Sequence, residues 1–139
     1  EADTDDWKKL LHLISYLQSR SKLVLMLEAN NLNSMKWFID ASYVVHNDMK
    51  GHTGGTMTMG KGAIYNCSTK QKINTKSSTE TELVGIDDIL PQVLWMNYFM
   101  KEQGWSTSET VVYQDNKSAI LLENNGKLSS SNRMKHIEV

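Results

Sequence analysis

Apolar residues recur along this chain with two different periods, and each change of period marks an element. Trp7, Leu10, Leu11, Ile14, Tyr16 and Leu17 follow helical spacing behind Asp5 and Asp6, either of which can cap a helix ending near Gln18 to Arg20. Leu23-Val24-Leu25-Met26-Leu27 is a short continuous apolar run and reads as a strand, and Asn30 to Ser34 is a polar break. Trp37-Phe38-Ile39-Asp40-Ala41-Ser42 reads as a buried strand that ends in a carboxylate. Gly51, Gly54 and Gly55 fall in the loop that follows, Thr56-Met57-Thr58-Met59 alternates as a second strand, Gly60-Lys61-Gly62 turns it, and Ala63 to Ser68 forms a third.

The period then lengthens to the helical value. Ser77 and Glu80, or Thr79 and Glu82, are spaced as a capping box, ahead of Leu83, Ile86, Leu90, Val93, Leu94, Tyr98 and Phe99. Pro91, the single proline, falls inside this helix and is expected to kink or interrupt it, and Gly104 is expected to end it. Thr110 to Asp115 is a further strand, again closing on a carboxylate, and Asn116 to Asn124 is a short helix before Gly126. The order strand, strand, strand, helix, strand, helix predicts an α/β fold. Its sheet is mixed, an antiparallel three-strand meander plus a fourth strand reached by a helical crossover long enough to be parallel.

Composition changes this picture little. The chain has 139 residues, 40% of them hydrophobic and 22% charged, which suits one globular domain with a real core. A net charge of −1 excludes a global basic field, so contact with nucleic acid must come from a local patch such as Lys70, Lys72, Lys76 and the Arg133–Lys135 tail. Cys67 is the single cysteine and has no internal disulfide partner, which suits a reducing compartment. No apolar run approaches the roughly 18 residues of a membrane span, so no membrane partner is expected. The acidic, Met-less start suggests excision from something longer. Met57, Met59, Met96 and Met100 read as core filler.

The carboxylates carry the candidate chemistry. Asp40 and Asp115 each close an apolar strand, where core packing explains a charge poorly. If their strands are parallel neighbours, the two acids lie side by side and call for a cation, and hard oxygen donors select Mg²⁺ or Mn²⁺. The plainer readings stand beside this one: a strand-end Asp is often a turn residue or helix cap. Glu80 and Glu82 both suit the first turn of a helix, whose dipole favours acids.

Four ordered words change the balance. Phe38-Ile39-Asp40-Ala41-Ser42, Ser77-Ser78-Thr79-Glu80-Thr81-Glu82-Leu83, Tyr113 to Ile120, and Lys135-His136-Ile137-Glu138-Val139 together resemble the ribonuclease H domain at the end of copia-type retrotransposon reverse transcriptases. His52-Thr53-Gly54-Gly55 and Ser68 to Lys72 also fit that family. The likeness covers residues 36 to 139. Residues 1–34 resemble the tail of the reverse transcriptase connection segment, leaving residues 35–139 as a ribonuclease H-like domain whose last strand and helix are absent.

The resemblance implies an active site of four acids. By position Asp40 is the first, Glu82 the second (preferred to Glu80 because Leu83 follows it directly), and Asp115 the third. The fourth belongs to a helix beyond this chain, and Glu138 is the only acid in the matching tail. The implied reaction is hydrolysis of the RNA strand of an RNA–DNA hybrid by two Mg²⁺ ions roughly 3.5–4 Å apart, with Mn²⁺ as a substitute. Ser42 and Asn116 are candidates for reading the 2′-hydroxyl, and Lys70, Lys72 and Arg133 for holding phosphates without sequence preference. The implied partners are the hybrid and the polymerase domain of the same polyprotein, and a dimer would follow from an exposed sheet edge. The implied setting is intracellular, in a cytoplasmic virus-like particle or the nucleus. The alternative is a catalytically incomplete module of this fold with a binding or structural role. An integrase core is disfavoured by the Ser-Ser-Thr-Glu-Thr-Glu word.

Overall fold

The computed structural model describes residues 2–107 and 109–125. Helix α1 spans Thr4–Ser19. Its cap is Asp3 rather than Asp5 or Asp6: the Asp3 carboxylate accepts from the amides of Asp5 and Asp6, and Asp6 reaches back to the Asp3 amide. Two further acids in the first turn complement the helix dipole. No residue of α1 is buried.

The run Leu23–Leu27 is not a strand. Its side chains stand 59–84% exposed, and the ladder forms only at β1 (Glu28–Ala29). The partner of β1 is β4 (Gly60–Lys61), where the sequence suggested a simple turn. A strand needs an edge to pair with, and the short edge offered by Gly60–Lys61 lies opposite Glu28–Ala29, just beyond the most apolar stretch. A Cβ at Gly60 would sit 2.1 Å from the Glu28 carbonyl oxygen, so this pairing requires glycine. Lys61 and Glu28 close it with an ion pair at 2.7 Å.

The main sheet has the order β5-β3-β2-β6, built from β2 (Ser34–Ser42), β3 (His52–Thr58), β5 (Tyr65–Lys70) and β6 (Glu109–Tyr113). β2 pairs antiparallel with β3, β3 antiparallel with β5, and β2 parallel with β6. This is the mixed α/β sheet the strand and helix order predicts, meander and parallel crossover included. β2 buries one face only: Met35, Trp37, Ile39 and Ala41 point inward, while Lys36, Phe38, Asp40 and Ser42 are exposed.

Helix α2 (Ser78–Glu102) covers the inner face. Ile86, Ile89 and Val93 pack with Met35, Trp37, Ile39, Met57 and Met59, and Met96 and Met100 lie against this cluster. Ser77 caps α2 by accepting from the Glu80 amide, while the Glu80 carboxylate accepts from the Lys76 amide. The helix continues through Pro91, which is exposed. Its end is a Schellman motif: the Gly104 amide donates to Lys101, the Trp105 amide to Met100, and Gly104 has φ +83°. The apolar spacing persists beyond the buried stripe, for Leu94, Tyr98 and Phe99 are 45–66% exposed. Helix α3 (Lys117–Asn125) follows β6.

Candidate metal centre

Three elements bring three acids together. Asp40 is the seventh residue of β2, on its exposed face and opposite Gly54 of β3. The parallel register of β2 and β6 runs from Ser34 with Glu109 to Phe38 with Tyr113. Carried two residues further it sets Asp40 beside Asp115, just past the end of β6. Glu82 comes from the opposite side of the sheet, in the second turn of α2. One carboxylate oxygen from each of Asp40, Glu82 and Asp115 lies within 4.8 Å of the others.

The approach of Glu82 depends on a small residue one turn further along. A Cβ at Gly85 would lie 3.1 Å from the Ala41 Cβ, so α2 meets β2 almost backbone to backbone at the residue after Asp40. Glu82 is 6% exposed, whereas Asp40 and Asp115 are open to solvent. Burial pushes the Glu82 carboxyl above the usual range, and the carboxylates of Asp40 and Asp115 add to the rise. The Gln114 side-chain amide and the Ala41 backbone oppose it by hydrogen bonding to the ionised form. The Gln114 amide nitrogen donates to Glu82 at 3.1 Å, and its oxygen accepts from the amides of Asp115 and Asn116 at 2.7 and 3.1 Å. Gln114 therefore couples the second acid to the backbone of the third. Sequence reasoning missed this residue, although it lies within the Tyr113 to Ile120 word.

A buried acid with two exposed acids at this separation leaves like charges facing one another, a state a cation relieves. The donor set is all carboxylate oxygen, which fits hard divalent ions such as Mg²⁺ or Mn²⁺ and suits softer ones poorly.

The other candidates divide. Glu80 is buried, and its carboxylate serves the start of α2 at the Lys76 amide, so the geometry favours Glu82 over Glu80 as cluster member. Asn116 caps α3, its side-chain oxygen accepting from the amides of Ser118 and Ala119. Ser42 lies on the same exposed face as Asp40, opposite His52. Lys70 is held by Asp48 at 2.7 Å, while Lys72 is exposed in the segment before α2. Arg133 and Glu138 lie outside the described residues.

Relatives of known kind share this sequence. The chain is 30% identical over 136 residues to the retrovirus-related Pol polyprotein from transposon TNT 1-94 of Nicotiana tabacum, a match covering 97% of this chain and 10% of that protein. It is 31% identical over 137 residues to the retrovirus-related Pol polyprotein from transposon RE2 of Arabidopsis thaliana, covering 96% of this chain and 9% of that one. Its homologues are retrovirus-related Pol polyproteins of copia-type transposons. The chain spans about a tenth of the length of the curated relatives it matches. No family model matches the chain. Among solved structures, the catalytic domain of human Endonuclease V overlaps 75% of this chain and 46% of its own, at 15% identity and a TM-score of 0.35. No helix among the described residues is long and apolar enough to cross a membrane.

Proposed function

We propose that this chain is the ribonuclease H module of a transposon Pol polyprotein and hydrolyses the RNA strand of RNA–DNA hybrids with divalent metal ions. The observation that carries this reading is the convergence of Asp40, Glu82 and Asp115 within 4.8 Å on an all-oxygen donor set. The order of the four sequence words and the Pol relatives support it. Residues 35–139 form the nuclease unit in this reading, and residues 1–34 belong to the segment that precedes it in the polyprotein. Burial that begins at Met35, with no buried residue in α1, supports that division.

Asp40, Glu82 and Asp115 would hold the metal. Two Mg²⁺ ions, or Mn²⁺ in their place, supply activation of water and charge stabilisation at both oxygens of an in-line displacement at phosphorus. The chain's own part is positional. Asp40 presents its carboxylate from a rigid strand flanked by paired neighbours on both sides. Glu82 is fixed by its depth and by Gln114. Gly54 leaves no side chain opposite Asp40, so the strand face beside the cluster is open to a duplex. In this reading the exposed Ser42 and Lys72 would meet sugar and phosphate, contacts that position a duplex without reading its sequence.

The test is cleavage of a labelled RNA–DNA hybrid in Mg²⁺ and in Mn²⁺, comparing the native chain with Asp40→Asn and using duplex DNA as control. Cutting of the RNA strand alone should require metal and fall by at least about a hundredfold in Asp40→Asn, since even partners that only orient metal ligands contribute up to that much. Cutting that survives in Asp40→Asn would sink the assignment of the site. A folded chain that cuts in neither metal would sink catalysis by this chain and leave a binding or structural module.

A further inference from the structure

We propose that His46 and His52 form a second metal site, selective for a borderline divalent cation, zinc above all, and separate in chemistry from the carboxylate cluster. His52 opens β3, and His46 lies in the loop that joins β2 to β3. The His46 Nε2 and the His52 Nδ1 face one another at 3.0 Å, with their rings 5.2 Å apart. Only one proton fits between two such nitrogens. With a cation in place of that proton, two lone pairs converge on the same space. Two imidazole nitrogens bound to one tetrahedral zinc at roughly 2.0–2.1 Å stand about 3.3 Å apart, so the pair needs to open by only a few tenths of an ångström.

The surroundings aim both rings at that space. The other nitrogen of His52, Nε2, lies 2.7 Å from the Ser68 Oγ of β5. Donating there fixes the tautomer that leaves Nδ1 free, the arrangement typical of metal-bound histidine. His46 is aimed by its loop. Val44 and Met49 take positive φ values of 50° and 63°, and the His46 amide and carbonyl are bonded to Lys50 and Met49. Such left-handed backbone persists in a β-branched residue only where contacts impose it. Asp48 of the same loop pairs with the Lys70 ammonium at 2.7 Å and lies 3.9 Å from that of Lys50. Imidazole nitrogen favours zinc over magnesium, the reverse of the three-carboxylate cluster, so the two sites should sort ions by softness. Two protein ligands leave the remaining positions to water. Because His52 pairs with Ser42, two residues past Asp40, bound zinc would pin the hairpin loop beside the carboxylates.

The test is histidine modification by diethyl pyrocarbonate, read by peptide mass spectrometry with zinc chloride, with magnesium chloride, and with neither. Zinc should slow modification of His46 and His52 by at least about tenfold and leave exposed His12 of α1 unchanged, while magnesium protects none of them. Direct zinc titration should weaken at least about tenfold in His46→Gln and in His52→Gln. Equal protection of His12, magnesium protection as strong as zinc's, or zinc affinity unchanged in both variants would overturn the site.

Discussion

Two parts of this molecule carry apolar residues at regular spacing, and only one of them buries any. In α1, Trp7, Leu10, Leu11, Ile14, Tyr16 and Leu17 stand 44–59% exposed. In β2 and α2, Trp37, Met35, Ile86 and Ile89 are at most 3% exposed. The local signals are equally clear, for each of the two helices has a well-formed N-cap. What differs is a partner. β2 lies between two strands and beneath a helix, while α1 is tethered to the rest through the two-residue ladder of β1 with β4. Periodicity therefore reports the capacity to bury a face, and burial itself is a property of what packs against it.

The two tryptophans Trp7 and Trp37 offer the sharpest way to break that comparison. Trp37→Ala should cost about 3–5 kcal/mol or abolish folding, and Trp7→Ala should change stability by less than about 0.5 kcal/mol. Urea denaturation measures both, and comparable losses would mean that α1 is packed in solution. Gly85→Val probes the contact that sets the site. A side chain 3.1 Å from the Ala41 Cβ must push α2 off β2, at about 1–3 kcal/mol and with loss of metal-dependent activity. Unchanged stability and activity would show that the close approach does not position Glu82.

A smaller effect follows from the charge on Glu82. Its carboxyl lies above its ordinary value in the folded state, so the folded protein holds that proton more tightly than the unfolded chain. Its contribution to stability is complete below the ordinary glutamate value and is lost as pH rises through the raised one. Without divalent ions, Glu82→Gln should therefore be the more stable protein at neutral pH. That advantage should shrink as pH falls through the window and vanish below it. A difference independent of pH in thermal melts would refute the charge-based account. The smallest effect belongs to the unpacked region: Asp3→Ala removes the α1 cap and should cost about 1 kcal/mol of helix stability, seen as faster amide exchange in the first turn. The sheet should not register it.

Much of the fold is legible in the sequence, because its elements depend on residues close together along the chain. Turn residues and the change of period identify the meander, the crossover helix and the strand before Asp115, although Gly54 and Gly55, read as loop residues, lie inside β3, where ladder pairing with β2 and β5 overrides their turn preference. The grouping of Asp40, Glu82 and Asp115 into one site, with Glu82 preferred to Glu80, comes from the family resemblance that the ordered words carry and not from spacing, which leaves each acid equally readable as a cap or turn residue. Where local pattern misleads, a distant partner decides the outcome. Leu23–Leu27 has strand composition, but the edge it would need is offered to Glu28–Ala29. Gly60–Lys61 has turn composition, yet pairs across the chain.

The sequence by itself determined most element positions, which faces are able to be buried and which acids lie at or near strand ends, because sterics, capping and periodicity act over a few residues. Only the tertiary structure decided that α2 approaches β2 closely at Gly85 and that Gln114 joins Glu82 to the backbone of Asp115. Each of these joins residues from different elements, whose separation depends on how the elements pack rather than on the spacing of residues along the chain.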